Sequence, residues 1–239
     1  MSVITPNQIN KETDFVNGAL LLINKPPEWT SFDVVKKVRN LIKKKLQIKK
    51  IKVGHAGTLD PLATGLLIVC TGKFTKRIDE IQRQGKCYTG HFTLGASTPS
   101  FDLETKVNQT FETAHITKKL LEETAKQFEG EVNQIPPIFS ALKKEGERLY
   151  KLARKNKKVE IESRKVTIHS FKITKINMPE VSFKISCSKG TYIRSIANDF
   201  GKALNSGAHL SELCRTKIGE YDLNRATNIK ELEEKINLL

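Results

Sequence analysis

The sequence predicts an α+β fold. Segments of helical periodicity and short strand-like segments interleave without regular order, where a doubly wound sheet would alternate them strictly. Residues 165–177 and 181–187 read as paired strands joined by a turn near Met178-Pro179. No internal repeat and no low-complexity linker divides the chain. With 239 residues, 38% of them hydrophobic, it is long enough for one large domain, or a domain with a small appendage.

The elements follow in order. Residues 1–17 are polar, lack the apolar stretch of a signal peptide and read as a flexible extension. Residues 18–24 (GALLLIN) read as a buried strand stopped by Pro26-Pro27. Thr30 starts a helix, with Asp33 three residues on, and Val34, Val35, Val38, Leu41 and Ile42 share one face. Residues 54–65 hold Gly54, Gly57, Gly65, Asp60 and Pro61. Glycine permits positive φ, and proline pushes the residue before it towards extended or turn geometry, so this is a rigid loop presenting one carboxylate. The run Leu66-Leu67-Ile68-Val69-Cys70 then reads as a buried strand.

Residues 73–82 read as a short helix. Residues 87–94 alternate, with Tyr88, Gly90, Phe92 and Leu94 on one side of a strand. Residues 117–128 form an amphipathic helix ended by Gly130. Residues 134–142 are too proline-rich for regular structure, and 143–165 read as a basic helix or loop around Leu149, Tyr150 and Leu152. Residues 191–205 are helical, with Ile193, Ile196, Ala197, Phe200 and Leu204 on one face and Gly207 beyond the end. A strand around 216–219 and a helix capped at Asn228 complete the chain.

Charge narrows the function. The formal net charge is +15, which favours a polyanionic partner, nucleic acid before membrane. Residues 36–52 carry nine Lys or Arg and no acid; residues 143–165 carry ten basic and four acidic side chains. An unbalanced run of this kind suits phosphate contacts. The cysteines at 70, 87, 187 and 214 form no C-x-x-C pair and read as buried free thiols. No P-loop, Rossmann glycine pattern or zinc signature occurs, so no cofactor and no metal are expected. No apolar run approaches transmembrane length, so a cytoplasmic setting without membrane association is expected. His55, on its own, reads as a satisfied loop histidine.

The segment GHAGTLDPLATGLL, residues 54–67, closely resembles the catalytic motif of the TruB-type tRNA pseudouridine-55 synthases. Leu22-Ile23-Asn24-Lys25-Pro26, Lys86-Cys87-Tyr88, Lys189-Gly190-Thr191-Tyr192-Ile193-Arg194-Ser195 and His209-Leu210-Ser211-Glu212-Leu213-Cys214-Arg215-Thr216 resemble further motifs of that family, in order. The resemblance implies a pseudouridine synthase fold: a mixed, mainly antiparallel central sheet flanked by helices. It implies a catalytic domain over residues 18–239, with a thumb insertion at about 134–165 that grips the T-arm of tRNA. The PUA domain common in the family is expected to be missing, which favours the stand-alone bacterial type. The resemblance makes Asp60 the catalytic aspartate, pairs it with Arg194, and stacks Tyr88 on the target base. It adds Lys25, His55, Tyr192 and Leu213 as substrate-binding residues. One departure occurs at Thr98-Pro99-Ser100-Phe101-Asp102, where Asp102 keeps the acid of the family's segment.

The implied reaction turns a T-loop uridine into pseudouridine, on a base flipped out of its loop. A carboxylate can attack C1′ or remove a ribose proton. The implied partner is tRNA alone, with no obligatory protein partner, acted on by a monomer. The competing class is a non-catalytic RNA-binding or RNA-folding protein. Asp60 with Tyr88 and Arg194 discriminates, because a pure binder of a negative polymer has no use for a presented acid.

Overall fold

The computed structural model describes residues 9–10, 12–140, 142–144, 146–154 and 159–239. In chain order these form β1 (Leu20–Lys25), α1 (Ser31–Lys45), β2 (Val53–His55), β3 (Thr64–Thr71), a 3₁₀ turn (Gly72–Arg77), α2 (Ile78–Arg83), β4 (Lys86–Leu94), β5 (Ala96–Ser97), β6 (Gln109–Thr110), α3 (Lys118–Gln127) and β7 (Gly130–Gln134). There follow β8 (Lys143–Lys144), β9 (Glu147–Arg148), α4 (Leu149–Arg154), β10 (Arg164–Asn177), β11 (Glu180–Cys187), α5 (Ile193–Ala203), β12 (Ala208–Ile218), β13 (Tyr221–Asp222), a 3₁₀ turn (Leu223–Arg225) and α6 (Ile229–Asn237). The α+β expectation is met, with antiparallel pairs predominating. No helix among the described residues is long and apolar enough to cross a membrane.

The chain divides into two compact units, Met1–Tyr88 with Leu213–Leu239, and Thr89–Glu212. In the first, β3 pairs antiparallel with β1, from Leu20↔Cys70 to Lys25↔Gly65. Its other edge takes β2 antiparallel at one end and β12 parallel at the other, through Cys214↔Thr64 and Arg215↔Gly65. Residues 20–23 of β1 and 66–70 of β3 are apolar throughout because both faces are covered. Leu21, Ile23, Leu67 and Val69 pack with Val34, Val38 and Ile42 of α1 and Leu232 and Ile236 of α6. Leu20, Leu22, Leu66, Ile68 and Cys70 pack on the other side with Ile81, Ile218 and Tyr221. Both long helices start as their sequences imply: Thr30 with Asp33, and Asn228 with Glu231, form reciprocal capping boxes.

The expected flexible extension needs correction over residues 12–17. Phe15 is buried in the core, and Thr71 Oγ1 donates to its carbonyl at 2.8 Å. An aromatic side chain that reaches an apolar core outweighs the polarity of its neighbours. Residues 1–8 and 11 lie outside the described residues.

In the second unit β10 pairs antiparallel with β11 and with β7. Rings of Phe92, Phe128, Phe171, Phe183 and Phe200 pack together, with Phe92 and Phe183 stacked at 4.2 Å between centroids. The basic stretch 143–165 begins as the β8–β9 hairpin and α4, while residues 145 and 155–158 lie outside the described residues. Two of the four cysteines, Cys70 and Cys187, are buried and form no disulfide; Cys87 and Cys214 are only half-buried, a correction to the expected burial of all four.

Candidate active site

Asp60 is carried by the loop that joins β2 to β3, residues 56–63. Three side chains fasten this loop through its main chain. Ser31, the first residue of α1, donates from Oγ to the Leu59 carbonyl at 3.1 Å and accepts from the Leu59 N–H at 2.8 Å. Lys25, the last residue of β1, is fully buried; its Nζ donates to the carbonyls of Pro26 at 2.8 Å, Trp29 at 2.6 Å and Pro61 at 3.1 Å. Arg215 in β12 is 1% exposed. Its Nε donates to Leu66 O at 2.8 Å, Nη2 to Gly57 O at 2.9 Å and Nη1 to Thr58 O at 3.4 Å. One planar guanidinium thus bridges the start of the loop to β3.

Gly65 makes that bridge possible. Its φ is +97°, and a Cβ there would lie 2.4 Å from the Arg215 carbonyl oxygen. The loop is therefore pinned at residues 57, 58, 59 and 61, on both sides of the half-buried Asp60. Electrostatics follow from the same burial. Desolvation pushes Lys25 down to about 8, Arg215 pushes the same way, and the charge of Asp60 opposes both. Burial, then Arg215, holds His55 below the usual imidazole range. A hydrogen bond to the Gly57 main chain opposes that shift, while Nδ1 has no hydrogen-bond partner among the described residues. Tyr88, on the inward side of β4, and Leu213, on the inward side of β12, are each 8% exposed.

The second unit holds the other two residues expected at the site. Tyr192 caps α5, and its ring lies under the Arg164 guanidinium, 4.6 Å from centroid to Cζ. Gln134, at the end of β7, bonds the Tyr192 main chain in both directions, at 2.7 and 3.1 Å. Ser195 Oγ donates to Ile135 O at 2.7 Å, and Arg194 Nη2 to Phe139 O at 3.0 Å. The proline-rich segment that sequence reasoning left irregular is thus tied to the start of α5. Arg194 is 3% exposed and its Nη1 lies 3.2 Å from Asp102 Oδ2, a buried ion pair.

Lys25, His55, Asp60, Tyr88 and Leu213 therefore share one unit, and Tyr192 and Arg194 share the other. Sequence reasoning missed Ser31, Arg215, Asp102 and Gln134 as site residues. Arg215 gave no clear signal: it follows Leu213 at strand spacing, but the other members of that phase, His209, Ser211 and Lys217, are polar.

The comparisons with known proteins agree with one another. Residues 43–193 match the model of the TruB family pseudouridylate synthase N-terminal domain, and residues 194–238 match that of the tRNA pseudouridylate synthase B C-terminal domain. The chain is 59% identical over 224 residues to tRNA pseudouridine synthase B of Flavobacterium johnsoniae, covering 93% of this chain and 98% of that one. It is 52% identical over 221 residues to the protein of the same name from Parabacteroides distasonis, covering 92% and 94%. Among solved structures it resembles a chain of a Cbf5-Nop10-Gar1 complex, with a TM-score of 0.69 and 27% identity over 97% of this chain, and it spans 58% of that chain's length. The motif order, the fold and these matches lead to one conclusion: the chain belongs to the TruB family of pseudouridylate synthases and is an isomerase of that family.

Proposed function

We propose that this chain converts the T-loop uridine of tRNA to pseudouridine-55, with Asp60 as the catalytic carboxylate. The observation that carries this reading is the loop pinned by Ser31, Lys25 and Arg215 on both sides of one acid. Such fastening fixes the backbone that carries the reacting group, and positioning catalysis requires a tolerance of about 0.5 Å.

In the reaction the C1′–N1 bond breaks, the uracil turns, C1′ bonds to C5, the C5 proton leaves and N1 gains a proton. Nothing is oxidised or reduced. Attack on C1′ and removal of a ribose proton both need an ionised carboxylate at the ribose. Lys25 and Arg215 hold the main chain on both sides of that carboxylate. Tyr88 stacks on the uracil and assists loss of the C5 proton; His55, Lys25, Tyr192 and Leu213 hold substrate or its loop; Arg194 completes the catalytic set. The partner is the T-arm of tRNA, gripped by residues 134–165, and a monomer in the cytoplasm acts without a partner protein or cofactor. The +15 charge supports an RNA substrate.

The test is a position-resolved assay on an unmodified tRNA transcript. A single T-loop uridine should be converted. Tight binding without conversion would favour a non-catalytic RNA-binding protein, and conversion only at another position would remove the T-loop assignment.

A further inference from the structure

Far along α1 from the Asp60 loop, the first unit has a cavity of about 500 Å³ lined by Arg39, Lys43, Lys49, Lys50, Ile51 and Lys52. Its frame is built into the fold. Val34, Val38 and Ile42 bury the opposite face of α1 in the core. Arg39 Nη2 donates to Val53 O at 3.2 Å, and Lys52 O accepts from Gly72 N at 2.8 Å. No acid occurs between Asp33 and Asp60 in the sequence. The neighbouring cations Lys37 and Lys45 are engaged elsewhere, with Glu233 and with the Asn237 carbonyl. None of the five cavity cations pairs with a carboxylate among the described residues. Five like charges around one cavity repel one another, and an anion in it relieves that repulsion.

We propose that this cavity binds the sugar–phosphate backbone of the substrate RNA outside the modified loop; the inference rests on the tRNA reading above. The lining has cations and no aromatic ring, so it suits phosphates and reads no base. The helix itself measures the separation. Ser31 holds Leu59, next to Asp60, and Arg39 and Lys43 lie eight and twelve residues further along α1. At 1.5 Å per residue that places them about 12 and 18 Å down the axis. A base seated at Asp60 cannot bring its own flanking phosphates that far, so a more distant stretch of the same RNA fills the cavity.

The experiment measures the Kd of an unmodified tRNA transcript by fluorescence anisotropy over a range of salt concentrations, without reference to turnover. The K43Q/K49Q/K50Q variant should weaken binding about tenfold or more at 0.1 M-range salt, and should lower the log–log salt slope by about 2 to 3, at 0.7–0.9 per lost phosphate contact. The K118Q/K119Q/K126Q variant removes equal charge from exposed positions of α3 and should shift Kd less than about twofold. Unchanged thermal midpoints show that both variants fold. A shift below about threefold in the first variant, or an equal loss in the second, would overturn the cavity as an RNA site. Absence of pseudouridine formation by the unaltered chain would instead sink the proposed reaction and leave the binding result readable.

Discussion

The two units bury their cations differently. In the first, Lys25 and Arg215 are satisfied by six hydrogen bonds to main-chain carbonyls. In the second, Arg194 meets the carboxylate of Asp102 at 3.2 Å. A carbonyl fixes a cation's position and leaves its charge in place; a carboxylate offsets the charge as well. The first arrangement suits a loop that is held rigid through its main chain. The second suits the anchoring of a helix start, since Arg194 also holds Phe139 O.

The largest test of this contrast removes the acid itself. Asp60→Asn should lower kcat by more than about 10³-fold and move the tRNA Kd less than about threefold, because the pinned loop needs no side-chain charge to keep its shape. Measurable turnover near the wild-type rate would show that the rigid loop serves something other than Asp60.

Next in size is the ion pair. Arg194→Leu leaves Asp102 buried without this partner, and should lose about 3–5 kcal/mol in chemical denaturation. Adding Asp102→Leu should recover part of that loss, as a double-mutant cycle would read. Additive losses would mean that the pair carries no coupling and that the two units do not differ in the way described.

Arg215→Lys should be milder for stability and specific for chemistry. The ammonium keeps the charge and loses the fork that bridges Gly57, Thr58 and Leu66. Unmade bonds to buried carbonyls should remove about 2–3 kcal/mol of stability. The folded variant should also lose about tenfold in kcat with KM little changed, a loss of transition-state positioning. An unchanged kcat would reduce Arg215 to a purely structural bond.

The smallest effect is a pH dependence. The pKa of Lys25 lies at about 8 in the fold against an ordinary 10.5. Between these values the unfolded chain binds more protons than the native one, so the contribution of Lys25 to stability rises with pH. Denaturation midpoints of the wild type and Lys25→Met, compared from pH 7.5 to pH 10, should therefore diverge in the wild type's favour as pH rises. A constant difference would show that carbonyl bonds compensate fully for burial of the ammonium.

Much of this was legible along the chain. The apolar runs of β1 and β3, the alternation of β4 and the two capping boxes follow from periodicity and local hydrogen bonding. β7 was not legible, because Gly130 reads as a helix stop and the strand exists through pairing with residues 164–168. β12 was seen only near its end, since residues 208–212 do not alternate cleanly. Phe15 was lost in a polar neighbourhood, because the core that buries it and the Thr71 hydroxyl that holds its carbonyl lie far along the chain.

The site divides along the same line. The sequence alone determined that a glycine- and proline-bounded loop presents Asp60, because φ restrictions act between adjacent residues. It also determined that the chain is strongly cationic and where its cations cluster. Only the tertiary structure decided what satisfies those cations once buried. Arg215 reaches carbonyls 149 to 158 positions away, and Lys25 one 36 positions away. A buried charge must find partners wherever the fold brings main chain or carboxylate within about 3 Å, and no periodicity along the chain encodes that distance.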